Sequence, residues 1–238
     1  MIILHVTDFR FNKRWFDWLL HRAPEHDLTV LSGDLLDRAS ETPQREQIAW
    51  VSAWLSEYPR PICVVSGDHD LEWNDKLERW LPAYWLRYIG NPHMWVDGQR
   101  VELNGASIFN IGRAVWPKGG DADIWVAHAG PRQSFVATHA NGDDEGDPDV
   151  NAFLARHAPR LLLSGHVHDP LHWRQRHGAT LLLNPGCSPH AEIPNHIVVE
   201  TDDLTCRRYV GAPEASHQAE ISGPATHDTD GVTATAVG

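Results

Sequence analysis

Residues 2–7, 28–31, 62–66, 124–127 and 161–164 are short runs rich in Ile, Val, Leu and Ala. Each leads within three positions to an Asp or a His: Asp8, Asp34, Asp68, His128 and His166. Runs of this length read as strands. Between them the apolar spacing changes to that of a helix. Residues 11–23 place Phe11, Trp15, Trp18 and Leu19 on one face, and residues 42–57 do the same with Ile48, Val51, Trp54 and Leu55. Pro43 suits the first turn of the second helix. A short helix is expected over 70–81, stopped by Pro82, and another over 147–157, with Pro148 near its start.

Asn104-Gly105 between residues 94–103 and 106–112 is the strongest hairpin signal. His177-Gly178 and residues 202–204 mark two more, joining 171–176 to 179–184 and 196–201 to 205–210. The first half therefore reads as β-α-β and the second as more antiparallel. The expected fold is α/β: a four-layer αββα sandwich of two mixed sheets flanked by helices, in one domain over residues 1–210. Residues 140–149, acidic and Gly-rich, and residues 211–238, small and polar, are expected to be structureless, the latter as a flexible tail.

Composition changes this picture little. With 238 residues, 42% hydrophobic and 22% charged, the chain can bury one sizeable core. No apolar run reaches the roughly 20 residues of a membrane span. The opening strand lacks the basic start and long apolar stretch of a signal peptide, so a cytoplasmic protein is expected. Cys63, Cys187 and Cys206 are odd in number and lack metal-binding spacing, which argues against a disulfide framework. The net charge of −12 disfavours nucleic-acid phosphate unless a basic patch or bound cations reverse the sign locally. Nothing in the sequence determines the oligomeric state.

Strands that each end in Asp or His can gather a metal centre from distant sequence, and such ligands suit Mn²⁺, Fe or Zn²⁺. Asp34 follows a glycine that frees the backbone to turn, which makes it the natural carboxylate to bridge two ions. His166 and His168, two residues apart, would face the same way on a regular strand.

The pieces Asp8-Phe9-Arg10, Gly33-Asp34-Leu35-Leu36-Asp37, Gly67-Asp68-His69-Asp70, His128 and Gly165-His166-Val167-His168 occur in this order. Together they resemble the motifs of the calcineurin-like metallophosphoesterases over about residues 1–170. That resemblance implies one metal on Asp8, Asp34 and His168 and another on Asp34, Asp68, His128 and His166. It implies that His69 contacts phosphate and protonates the leaving oxygen, with Asp70 orienting the imidazole. Two positions depart from the pattern: Arg10 stands where the family has His, and Asp68 where it has Asn. Arginine offers no lone pair to a metal. The first site could therefore fill with fewer protein ligands, stay empty with Arg10 partly replacing the ion, or belong to a non-catalytic protein. The two changes nearly cancel in charge, which favours a rebalanced site.

The resulting expectation is a phosphoesterase with one or two divalent ions (Mn, Fe or Zn). Its substrate would be a small or nucleotide-like phosphodiester, attacked by metal-activated hydroxide. Arg10, His69 and Asp70 are the expected catalytic residues. A nuclease is an alternative that the scattered basic residues do not favour, and a non-catalytic scaffold is another. Asp37 could assist a site ligand or cap the next element. Trp73, Trp80, Trp85 and Trp95 read as packing for a short lid rather than an aromatic wall. His5 reads as a packed residue; His21, His26, His157 and His177 read as solvated.

Overall fold

Along β1 (Ile2–Val6) neighbouring side chains go to opposite sides of the sheet: Ile3 joins one apolar cluster, Leu4 and Val6 another. The same alternation repeats along the chain and sets the layers. This computed structural model describes residues 1–114, 120–211 and 220–222. After β1 come α1 (Lys13–Arg22), β2 (Leu28–Ser32), α2 (Gln44–Glu57), β3 (Ile62–Val65), β4 (Glu72–Asn74) and β5 (Arg79–Leu81). Then follow β6 (Met94–Trp95), β7 (Arg100–Leu103), β8 (Ala106–Ile111), β9 (Ile124–Ala129), α3 (Pro148–His157) and β10 (Leu161–Gly165). The last strands are β11 (Arg174–His177), β12 (Thr180–Leu183), β13 (His196–Glu200), β14 (Thr205–Tyr209) and β15 (Glu220–Ser222).

One sheet has the order β15-β14-β13-β1-β2-β3-β6 and the other β11-β12-β10-β9-β8-β7. Ile3, Val30, Cys63 and Val65 of the first meet Ile108, Ile124, Val126, Leu161 and Leu163 of the second, forming the inner layer. On the first sheet's outer face, Leu4, Val6, Leu31 and Val64 pack against Trp15, Phe16 and Leu19 of α1 and Val51 and Leu55 of α2. On the second sheet's outer face, Phe109, Trp125, Leu162 and Leu182 pack against Val150 and Leu154 of α3. This is the expected αββα arrangement. All three cysteines are buried and free. No helix among the described residues is long and apolar enough to cross a membrane.

Several local expectations are corrected. Residues 70–81 are not a helix: after a single 3-10 turn at Asp68–Asp70, β4 and β5 form a hairpin. Trp73 and Trp80 pair across it edge to face at 5.4 Å, and Glu78 takes a φ of +47°, which a helix cannot accommodate. Residues 94–103 are not one strand. Met94–Trp95 pairs with β3, and the chain then crosses to the other sheet at Asp97, whose carboxylate accepts from the Ser66 N–H and hydroxyl. The second half is less antiparallel than expected, since β8, β9, β10 and β12 run parallel. His26 is buried rather than solvated. Within the expected tail, Glu220–Ser222 pairs with β14; residues 212–219 and 223–238 lie outside the described residues.

Candidate metal centre

Parallel strands end on the same edge, so the loops after β1, β2 and β3 meet those at the ends of β9 and β10 across the two sheets. These loops carry Asp8, Asp34, Asp68 and His166, while His128 lies within β9 near its end. The backbone there is unusual. Asp8, Arg10, Asp34 and His166 have φ of +55°, +46°, +53° and +69°. Side chains rarely adopt that region unless the surroundings hold them there. Here the Asp8 N–H donates to the Gly33 carbonyl at 3.0 Å and the Arg10 N–H to that of Asp34 at 2.9 Å. Gly33 (φ +99°) and Gly67 are required by close approach: a Cβ on the first would strike the His128 ring, and one on the second the Asp34 carboxylate and backbone.

Unpartnered acceptor atoms converge at this point. Asp8 Oδ1, Asp34 Oδ2, Asp68 Oδ2, His128 Nε2 and His166 Nδ1 are buried without a hydrogen-bond partner, although Asp34 Oδ2 is ion-paired with Arg10. Leaving such groups unmet is costly, and a cation satisfies several at once. Two trios, Asp68-His128-His166 and Asp8-Asp34-His128, each bring ligand-type atoms within 4.8 Å of one another. The other atoms of these side chains are held in place. His128 Nδ1 donates to the Ser32 carbonyl at 2.8 Å, which leaves Nε2 with a free lone pair 3.5 Å from Asp34 Oδ1 and 3.8 Å from Asp68 Oδ2. Asp68 Oδ1 accepts from Arg113 Nε at 2.8 Å, while Oδ2 lies 3.4 Å from His166 Nδ1. Asp34 Oδ1 accepts from the His69 N–H at 2.8 Å. These donors fit a divalent cation.

The other pole is different. Arg10 Nη2 lies 2.9 Å from Asp34 Oδ2, 3.3 Å from His168 Nε2 and 3.8 Å from Asp8 Oδ1. His168 Nε2 is also 3.3 Å from Asp8 Oδ1. Asp34 thus turns one oxygen toward His128 and the other toward a guanidinium.

His69 Nδ1 accepts from the Arg38 N–H at 3.0 Å, and its Nε2 faces a second donor, Arg10 Nη1, at 2.6 Å. Burial, together with the charges of Arg10 and Arg38, outweighs the pull of Asp34 and holds the imidazole below its ordinary pKa. The expectation that Asp70 orients this ring is corrected. The Asp70 carboxylate is fully buried and accepts from the Leu36 and Gly67 N–H groups, at 2.9 and 2.8 Å. Burial and the nearby Asp34 charge push it up to about 8. It ties the loop after β2 to the loop after β3, and the carboxylate beside His69 Nδ1 is that of Asp37, at 3.7 Å.

Electrostatics separates the remaining groups. Burial pushes Asp8 up, yet His168 close beside it and the charges of His128 and His168 outweigh it and hold Asp8 below the usual range. Burial likewise opposes, but does not overcome, the charges of His128 and Arg113 that lower Asp68. Against burial, Asp34, Asp8 and Asp68 raise His128; burial and then the His128 charge lower His166.

Three participants carried no sequence signal. Arg113 bridges Asp68 and Asp147, the latter at 2.9 Å. Arg38 lays its guanidinium over Trp80 at 3.7 Å and donates its N–H to His69. Glu145, from the segment expected to be structureless, reaches 3.4 Å from His166 Nε2 and 3.3 Å from His139 Nε2, and Asp169 hydrogen-bonds the other nitrogen of His139. That loop is ordered by bridges of Thr138 to Asp144 and Pro131 to Asp147. Of the tryptophans, Trp85 is buried with its indole N–H on the Asp70 carbonyl, whereas Trp73 and Trp80 stay about half exposed. A cavity of about 320 Å³ opens beside Asp68 and His128, lined by Ile111, Ala127, Val150, Phe153 and Arg113.

In sequence, residues 1–170 match the calcineurin-like phosphoesterase family. No curated protein matches the chain. Among solved structures, TT1561 of Thermus thermophilus is similar with a TM-score of 0.60 at 17% identity, over 87% of this chain and 97% of that one. An archaeal phosphodiesterase is similar with a TM-score of 0.52 at 13% identity, over 88% and 99%. GAP50, the anchor in the inner membrane complex of Plasmodium, gives 0.54 at 12% identity, over 96% and 90%. At these identities the likeness is one of fold.

Proposed function

The chain belongs to the calcineurin-like phosphoesterases, and from that premise we propose that it hydrolyses a small or nucleotide-like phosphodiester. A divalent cation (Mn, Fe or Zn) would be held by Asp34, Asp68, His128 and His166. The observation that carries this reading is the convergence of buried acceptor atoms without partners at the strand ends. When bound, such an ion supplies Lewis-acid polarisation of the phosphoryl group and lowers the pKa of water.

The protein's own groups do the rest. Arg113 occupies Asp68 Oδ1 and leaves Oδ2 for the cation. Glu145 stands 3.4 Å from Nε2 of His166, the ring nitrogen opposite the unpartnered Nδ1. His69, held between the Arg38 N–H and Arg10 Nη1, is the imidazole placed to contact the phosphate and to pass a proton to the leaving oxygen. The cavity beside Asp68 is at the small end of ligand sites, and its apolar wall with one arginine suits a base-sized group on the phosphate. The net charge of −12 works against long polyanions such as nucleic acid.

The test is hydrolysis of bis(p-nitrophenyl) phosphate and p-nitrophenyl phosphate with added Mn²⁺, before and after chelation. Diesterase turnover that disappears on chelation and in Asp68→Ala is expected. Absence of turnover with every one of Mn²⁺, Fe²⁺ and Zn²⁺ would overturn the reading.

A further inference from the structure

We infer that the Arg10 guanidinium permanently occupies the place of a first metal ion, so that the protein is a one-metal phosphoesterase with a built-in organic cation. The inference rests on the reading of Asp34, Asp68, His128 and His166 as a cation site. Its own basis is the position of Arg10. Three side chains that could hold a second ion, Asp8, Asp34 and His168, all lie within 3.8 Å of the single atom Nη2.

The backbone keeps the arginine there. Its N–H is spent on the Asp34 carbonyl, the next N–H on that of Leu35, and its φ of +46° sends the side chain across the cleft. Arginine cannot vacate the place by losing its proton, because it stays charged at all working pH values. A second divalent ion would have to sit against this cation on the same shared carboxylate, Asp34.

Charge points the same way. Asp8, Asp34 and Asp68 bring three negative charges to the centre, and Arg113 is shared with Asp147. One divalent ion and Arg10 neutralise the three; a second ion would leave excess positive charge in a largely buried place even with the Glu145 carboxylate beside His166 counted. A guanidinium also provides what the missing ion would have provided toward a phosphoryl oxygen, namely fixed positive charge with planar N–H donors.

The experiment is Mn²⁺ stoichiometry by elemental analysis on purified full-length protein, loaded with excess Mn²⁺ and desalted, together with the electron paramagnetic resonance spectrum. The wild type is expected to hold one Mn²⁺ per chain with the spectrum of an isolated ion. Arg10→His is expected to hold two, with the signature of an exchange-coupled pair. Two ions in the wild type would overturn the inference and leave the metal-dependent reading intact. One ion in both proteins would also overturn it, since Arg10 would then not be what excludes the second. No ion in the wild type would instead remove the cation site on which the inference rests, a result distinct from two. Should Arg10→His fail to fold, Arg10→Ala takes its place with the same expectation of two ions, and a single ion there overturns the assignment.

Discussion

His5 shows what burial does to one side chain. It lies in β1 with no exposure, its Nε2 2.8 Å from the Ser32 hydroxyl, and burial lowers its pKa to about 3 against the opposing pull of Asp8. The folded protein therefore takes up this proton far less readily than the unfolded chain. The stability associated with neutral His5 is complete above the unfolded pKa of 6.5 and is lost as pH falls toward about 3. Urea unfolding at pH 7 and pH 5 is expected to show a loss of about 2 kcal/mol from this group alone. His5→Gln should remove that part of the slope; an unchanged slope would assign it elsewhere. Glu145 Oε2 lies 3.4 Å from His166 Nε2. Glu145→Ala is expected to weaken Mn²⁺ binding about tenfold or more in calorimetric titration, the usual effect of removing a carboxylate that orients a ligating imidazole. An unchanged affinity would make the 3.4 Å contact incidental.

At the level of elements, α3 ties the site to the scaffold. Asp147 caps this helix by accepting the Asp149 N–H at 2.8 Å and pairs with Arg113 through its other oxygen. Asp147→Ala is expected to cost about 1 kcal/mol of unfolding free energy for the lost cap. It should also raise the KM for a diester by loosening Arg113, and a stability loss with unaltered kinetics would separate the two roles. The helices over 44–57 and 148–157 and the Asn104-Gly105 hairpin were legible because cap, proline and turn residues sit beside a clear apolar period. The helix expected over 70–81 failed because Trp73 and Trp80 at that spacing serve a cross-strand pair equally well. Periodicity over so few residues does not separate the two.

For the whole molecule, the proposed cation site is a seam between two sheets, and a cation bound there would join them. Ligands that bind only the folded state stabilise it by mass action. Mn²⁺ at 100 times its Kd is expected to add about 2.7 kcal/mol. In a protein of this size that corresponds to a rise in melting temperature of roughly 5–10 °C, reversed by a chelator. A melting temperature indifferent to both would count against a cation that bridges strand ends of both sheets.

Local chemistry in the sequence determined the strands, their ligand-type ends and the αββα layering, because alternation and strand-end glycines are written into neighbouring residues. Set beside the family's motifs, the sequence also exposed Arg10 as a departure, since arginine has no lone pair to offer a metal. Only the tertiary structure decided that Arg10 lies between Asp8, Asp34 and His168. The same holds for Asp70, which bonds to backbone and not to His69, and for Arg113 and Glu145, which reach the centre from loops far along the chain. Those placements depend on how two sheets face each other, and no period or spacing within one strand encodes the distance across to the other.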